Sequence, residues 1–409
     1  MTTSTLPSSN PTCLYCGSVG PFSDEHVISA GLGADDNRFL LTDCVCATCN
    51  TERLSPIELE MLRSSPVAIS RLFMQPYGRD RGKRKSAPKL QTKSKVVNLE
   101  GGSSEFEFIE STQPCLLAQL TLRGEDQFDV SAPSREILND FLVRVESIFS
   151  DPVTCIRKHR VAGKPVLDAY HFDWEDDSAL IHQGSVKKAQ SEDIWLEEFG
   201  DSLAPDACVR ARLMQLQGGN IVLRTSEGVS QTQALIILRR ALGQIDLSSA
   251  KESIVTTPSA TIQMSMLSGA TERVLAKTGL NILAFVAGSD YVRQACFDAV
   301  KQSILTGEPE IPPAFDGVPD SMSGIFECVP GGMHVFCIAE GPTPDGVNSI
   351  GMSAKLYGTS GYFVPLAFDA PTRPGIFPII FTVDYKNHHV EHLTPIKFAK
   401  FLIEHIRSD

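Results

Sequence analysis

The chain has 409 residues, 42% of them hydrophobic and 21% charged, with 25 Pro and 30 Gly. A chain of this length holds two or three domains, and the composition excludes a disordered or fibrous protein. No apolar run approaches the roughly 18 residues of a membrane span. The start, Met1-Thr-Thr-Ser-Thr, has neither the basic nor the apolar region of a secretory signal, so a cytoplasmic protein is expected.

The net charge of −12 argues against a nucleic-acid partner on average, but it conceals an asymmetry. Residues 1–100 carry 12 Lys+Arg against 10 Asp+Glu; the totals of 37 and 49 leave 25 against 39 for the remainder. The acidic balance therefore belongs to the rest of the chain, and a nucleic-acid site near the N-terminus stays open.

In chain order, residues 10–75 read as a small Cys-rich module and residues 76–96 as a basic linker punctuated by Pro and Gly. Residues 97–409 read as a larger mixed region with an internal boundary near 230. Phe106, Phe108 and Cys115–Leu122 predict strands. Ser134 opens an amphipathic helix carrying Ile137, Leu138, Phe141, Leu142, Val145, Ile148 and Phe149 at helical spacing. Residues 155–230 alternate short strands with acidic loops such as Asp173–Asp177. Helices are predicted at Gln231–Leu242 and Ala270–Ala287, the second apolar on most faces and so buried. The last third is β-like, with turns at Gly331-Gly332 and Gly358–Gly361. A final helix has Thr394 as N-cap and Pro395 at N1, and is expected to bury Ile396, Phe398, Phe401, Leu402 and Ile406. The fold class is α+β.

Five of eleven cysteines lie in the first fifty residues. Cys13-Leu-Tyr-Cys16 and Cys46-Ala-Thr-Cys49 are two CxxC pairs, and in a reducing compartment such pairs bind metal. Each can form a knuckle, and two knuckles close a tetrahedral Zn²⁺ site that would stabilise a module too small to fold on its own core. Cys44 faces the other way and is expected in the core. Between the knuckles lies Asp24-Glu25-His26-Val27-Ile28, followed by Leu32-Gly33, and the second knuckle runs into Asn50, with an acid further on at Glu58.

Over about residues 12–62 this pattern resembles the HNH endonucleases, in the subgroup with a zinc-knuckle ββα-metal domain. The chain departs from that subgroup where Ser29 replaces a common Pro and Gly33-Ala34 replaces a common Gly-Gly, both matters of loop shape. A weaker similarity to other parts of such proteins touches Leu275–Leu283 and His334-Val-Phe. The resemblance implies a metal-dependent DNA endonuclease with His26 and Asn50 in the catalytic site, a structural zinc on the four cysteines, and Mg²⁺ or Mn²⁺ on Glu25 and Glu58.

The residue types suit that chemistry. A neutral imidazole takes a proton from an attacking water near physiological pH, and carboxylates bind a hard divalent ion. Each also has a plainer reading. His26 could be structural, and Asn50 could cap a turn or hold the loop. Glu58 could close a capping box with Ser55 as N-cap and Pro56 at N1.

From Arg71 to Lys95 stand nine basic residues and one acid, Asp80. Arg79, Arg81, Lys83, Arg84 and Lys85 are the candidate DNA contacts, since such a run neutralises phosphates without reading sequence; a solvated linker is the alternative. Asp384, His388, His389 and His392 lack a zinc-enzyme spacing and are expected as surface residues. No GxSxG, Walker A or GxGxxG motif is present.

The layout expected is an HNH nuclease held in check by the acidic remainder. Such a layout occurs in bacterial anti-phage defence, where the partner is a sensor protein such as a short Argonaute, or a small nucleotide ligand; it also admits a homo-oligomer. The rival reading is a non-catalytic zinc-ribbon adapter that binds nucleic acid or protein. A third is a nuclease acting on RNA.

Overall fold

A computed structural model describes residues 11–78, 87–92, 94–99, 102–109, 113–124, 127–150, 152–161, 164–175, 178–199, 209–247, 259–312, 320–343, 345–358 and 361–406. The class is α+β, as expected. The chain divides into two compact units: residues 1–91 together with 265–409, and residues 92–264. This differs from the expected three-part order in two ways. Residues 265–409 join the N-terminal module rather than the segment that precedes them, and no boundary falls near 230. Helix Gln231–Leu242 buries Ala234, Leu235 and Leu238 in the same core as Leu120, Phe141 and Leu213, so the chain cannot be divided there.

The unit formed by 92–264 is built on an eight-stranded sheet. Its spatial order is Ser178–Val186, Lys164–Glu175, Val153–Val161, Ile194–Glu198, Ile221–Thr225, Ala211–Gln215, Ala118–Leu122, Phe128–Ser131. Ile194–Glu198 runs parallel to both neighbours and the other pairs are antiparallel. Helix Arg135–Ser150 begins where Ser134 predicts, with the Ser134 hydroxyl accepting from the Ile137 N–H at 3.2 Å. Its Phe141, Leu142, Val145, Ile148 and Phe149 face the sheet. A second sheet orders Ser259–Gln263, Ser94–Leu99, Gly102–Ile109 and Gln113–Leu116, so the end of the expected linker is a strand. The expected acidic loop at Asp173 lies instead in the long strand Lys164–Glu175, paired across to Leu180.

In the other unit, an antiparallel sheet orders Gly361–Phe368, Asn348–Lys355, Met333–Pro342, Ile379–Asp384 and His389–Leu393. Helix Ala270–Ala287 packs on its first two strands. Thirteen of its residues are buried, so it lies in the core as its composition predicts. Gly279 permits the approach: a Cβ there would sit 2.7 Å from a methyl carbon of Leu366. The same helix packs on the strand Leu40–Leu41 and on the helix Ser55–Ser64 of the N-terminal module. One continuous core runs from Leu14, Val27, Ile28 and Met61 to Leu275, Ile282, Phe336 and Phe381.

The last helix, Pro395–Ile406, is capped as expected, with the Thr394 hydroxyl accepting from the Lys397 N–H at 3.4 Å. Phe398 is buried, but Ile396 is 72% exposed, because it falls on the outer face of the helix. The side chain of Ile406 lies outside the described residues. Among the described residues, no helix is long and apolar enough to cross a membrane.

Candidate functional site

The first knuckle is a tight turn. Gly17 sits at φ 72, which only glycine adopts readily, and its N–H donates to the Cys13 carbonyl at 2.9 Å. The second knuckle leads into a helical turn over Cys49–Leu54. Backbone amides point at sulfur in both: Cys46 N–H donates to Cys13 Sγ and Cys49 N–H to Cys46 Sγ, each at 3.4 Å. The sulfurs of Cys13, Cys16, Cys46 and Cys49 all lie within 4.8 Å of one another, with Cys16 and Cys46 3.6 Å apart.

Tetrahedral Zn–S bonds of about 2.3 Å place sulfurs about 3.8 Å apart, so the four thiols fit zinc. Burial and the neighbouring thiols push the Cys49 thiol well above its ordinary range. A group packed this way calls for a cation to hold it as thiolates. Cys44 stays outside the group and packs against the core. Among the described residues, no other group of three or more His, Cys, Asp or Glu is close enough to hold a metal. His389 and His392 are exposed as expected, but His388 is half-buried with both ring nitrogens covered.

Phe22 bridges to Cys46, and Glu25-His26 pairs with Leu40-Leu41, so the segment between the knuckles is tied to the second one. Strand alternation turns Glu25 inward and leaves the His26 side chain 17% exposed. His26 Nε2 lies 3.4 Å from an Asp35 carboxylate oxygen whose side chain is almost fully buried. An acid in that place stabilises the imidazolium formed when His26 takes a proton. Asn50 does not meet the ring in these contacts. Its Nδ2 donates to the Ser23 hydroxyl at 3.0 Å and the Asp24 carbonyl at 3.2 Å, holding the residues just before Glu25.

Gly33, at φ 83, closes the turn between His26 and Asp35, and a Cβ there would lie 2.5 Å from the Tyr385 backbone. The Leu-Gly element is thus a point of close contact with the turn after Ile379–Asp384.

The capping box that is the plainer reading of Glu58 does not form. Ser55 is itself helical, φ −61 and ψ −40, because the turn Cys49–Leu54 runs straight into the helix and leaves it no N-cap role. Glu58 instead points toward Glu25, and between the two stands a cation supplied by the chain. Lys277 Nζ donates to Glu58 Oε1 at 2.5 Å and pairs with Glu25 Oε1. Burial opposes charge on Lys277, but the Glu58 and Glu25 carboxylates outweigh it and push its pKa up. Burial pushes Glu25 above the ordinary carboxylate range, against the pull of Lys277 and with a push from Glu58.

One helical turn on, Asn281 faces the same way. Its Nδ2 donates to the His26 carbonyl at 3.0 Å and to Glu25 at 3.4 Å, and its Oδ1 accepts from the Tyr15 hydroxyl at 2.7 Å.

The structure thus brings together the four cysteines as one group and Glu25 with Glu58 through Lys277, while His26 meets Asp35 and Asn50 meets Ser23 and Asp24. It adds Tyr15, Asp35, Lys277 and Asn281, which sequence reasoning missed. The available signal was a Lys and an Asn four residues apart in a helix that is otherwise apolar on most faces. Of the basic tract, Arg79, Arg81, Lys83, Arg84 and Lys85 lie outside the described residues. Arg71 is buried, donating to the carbonyls of Gly31 at 2.8 Å and Leu62 at 3.2 Å, so it is a structural tie rather than a phosphate contact.

As arranged, Glu25 and Glu58 do not fit a Mg²⁺ or Mn²⁺ ion held between them, since the oxygens that would face it are engaged by an ammonium. Comparison with protein-family profiles, with curated proteins and with solved structures gave no match.

Proposed function

We propose that the chain is an HNH-type endonuclease hydrolysing DNA phosphodiester bonds, with His26 as the general base. The observation that carries this reading is the half-buried His26 beside a buried Asp35, on a two-stranded hairpin anchored to a four-cysteine group and followed by a helix. His26 would take the proton of a water attacking phosphorus, and Asp35 would stabilise the resulting imidazolium. Asn50 and Asn281 fix the backbone on either side of Glu25, one through Asp24 and the other through His26. A divalent ion, Mg²⁺ or Mn²⁺, belongs to this proposal as part of the resemblance, but no step is routed through Glu25 and Glu58.

The stretch Arg79–Lys85 is the proposed contact to the DNA backbone. A role in anti-phage defence, triggered by a sensor protein such as a short Argonaute or by a small nucleotide, completes the proposal.

The adapter reading draws support from one observation: the two acids expected to hold the catalytic ion are both engaged by Lys277. The readings separate when zinc-loaded protein is incubated with matched DNA and RNA substrates and Mg²⁺ or Mn²⁺. Cleavage of DNA supports the proposal, cleavage of RNA alone moves it to the third reading, and binding without cleavage of either supports the adapter.

A further inference from the structure

A buried lysine between two glutamates is an uncommon arrangement, and in this chain its partners come from three separate stretches. Glu25 lies on the hairpin strand, Glu58 on the helix Ser55–Ser64, and Lys277 on the helix Ala270–Ala287. Lys277 is 2% exposed and Glu25 5%. Two carboxylates against one ammonium leave a formal charge of −1 in a place water hardly reaches. Asn281 adds a second donor to Glu25, beside Lys277. The carboxylates therefore converge on one point, as a cation site requires, and the point is filled from within the chain.

We infer that Lys277 is the resident cation of the Glu25–Glu58 pair, and that this pair takes up a divalent ion only when the Lys277 ammonium is removed from it. The physical basis is competition for the same oxygens. The Oε1 atoms of both acids face Nζ. A divalent ion brought to them with Lys277 in place would meet a like charge at close range, in surroundings of low dielectric constant. Removing the ammonium leaves the buried Glu25 and the half-buried Glu58 carboxylates facing each other with an unmet demand for positive charge, and a small divalent cation with oxygen ligands meets it. The inference concerns cation occupancy and holds whether or not the chain cleaves nucleic acid.

The test is a Mn²⁺ titration, by calorimetry and by electron paramagnetic resonance of unbound Mn²⁺, on zinc-loaded full-length protein. Four proteins are compared: wild type, Glu58→Gln, Lys277→Met, and Lys277→Met with Glu58→Gln. The expected result is that wild type and Glu58→Gln bind Mn²⁺ alike. Lys277→Met should gain one site at least roughly 100-fold tighter than any in the wild type, as expected from loss of a like charge at that range. Glu58→Gln should abolish the gained site.

Two results overturn the inference. One is a wild-type Mn²⁺ site that Glu58→Gln removes, because the carboxylates would then hold metal beside the lysine. The other is a Lys277→Met protein with full zinc content and wild-type circular dichroism that gains no site. Should Lys277→Met fail to fold, the comparison of wild type with Glu58→Gln still decides through the first of these.

Discussion

Asn281 is the residue through which the long helix grips the strand of His26, and its replacement by leucine tests that grip. Leucine keeps the branched outline, with more bulk, and removes all three hydrogen bonds. Asn281 is fully buried, so the His26 carbonyl and the Tyr15 hydroxyl lose partners that water cannot replace. A buried polar group left without its partner costs about 1–3 kcal/mol. Two such groups set a range of about 2–6 kcal/mol for Asn281→Leu. The value should fall in the lower half, about 2–4 kcal/mol, because the Tyr15 hydroxyl keeps a 3.5 Å contact to the Lys277 carbonyl.

Tyr15→Phe removes the hydroxyl itself, so the double variant orphans only the His26 carbonyl, two groups fewer than the single changes imply. It should be less destabilised than their sum by at least about 0.5 kcal/mol. The assay is urea unfolding read by zinc release to a chromophoric chelator, which reports on the unit that holds the cysteines. Stability of Asn281→Leu within about 0.5 kcal/mol of wild type, or strictly additive effects in the cycle, would refute the reasoning.

Two further outcomes follow from the same unit. Removing zinc with a strong chelator, or replacing Cys16 by serine, should unfold the module around the knuckles, since metal binding there is coupled to folding; elemental analysis finding no zinc in freshly purified protein contradicts this. His334 is fully buried and its Nδ1 accepts from the Tyr357 N–H at 3.2 Å, and burial pushes its pKa down to about 3. Between that value and the ordinary histidine value of about 6.5, the unfolded chain binds the extra proton and the folded chain does not. Stability contributed by His334 is therefore complete above about pH 6.5 and falls by up to about 1.4 kcal/mol per unit as pH drops toward 3. Lowering the pH from 7.5 to 5.0 should cost wild type about 2 kcal/mol more than His334→Gln in chemical unfolding, and equal losses would contradict the assignment.

Local signals were legible in the sequence, and contacts between distant segments were not. Helical spacing set both ends of Gln231–Leu242 and Ala270–Ala287, and hydroxyl caps marked Ser134 and Thr394 as helix starts. The CxxC spacing identified the four thiols that converge. The missed contacts have large sequence separations: Lys277 meets Glu58 across 219 residues and Asn281 meets Glu25 across 256. No periodicity or cap encodes such a meeting.

The capping box at Ser55 failed for a different reason. Its local pattern was sound, but the preceding turn Cys49–Leu54 was already helical, so the helix had no start there to cap. Ile396 was misassigned because the helix it opens buries only one stripe, with Phe398 inward and Ile396 and Ile403 outward. Asp35 was overlooked because its meeting with His26 depends on the turn closed by Gly33, a feature of backbone conformation rather than of residue pattern.

The central claim is that His26 is the base of a nuclease site, and the rate of plasmid nicking by His26→Ala, beside wild type at matched zinc content, tests it most directly. The account predicts that wild type converts supercoiled DNA to nicked or linear forms. His26→Ala should do so about 10²–10⁴-fold more slowly while keeping its zinc, its fold and its DNA affinity, since a positioned base contributes that much. Nicking by His26→Ala at the wild-type rate would contradict the account and return the four-cysteine module to a binding role.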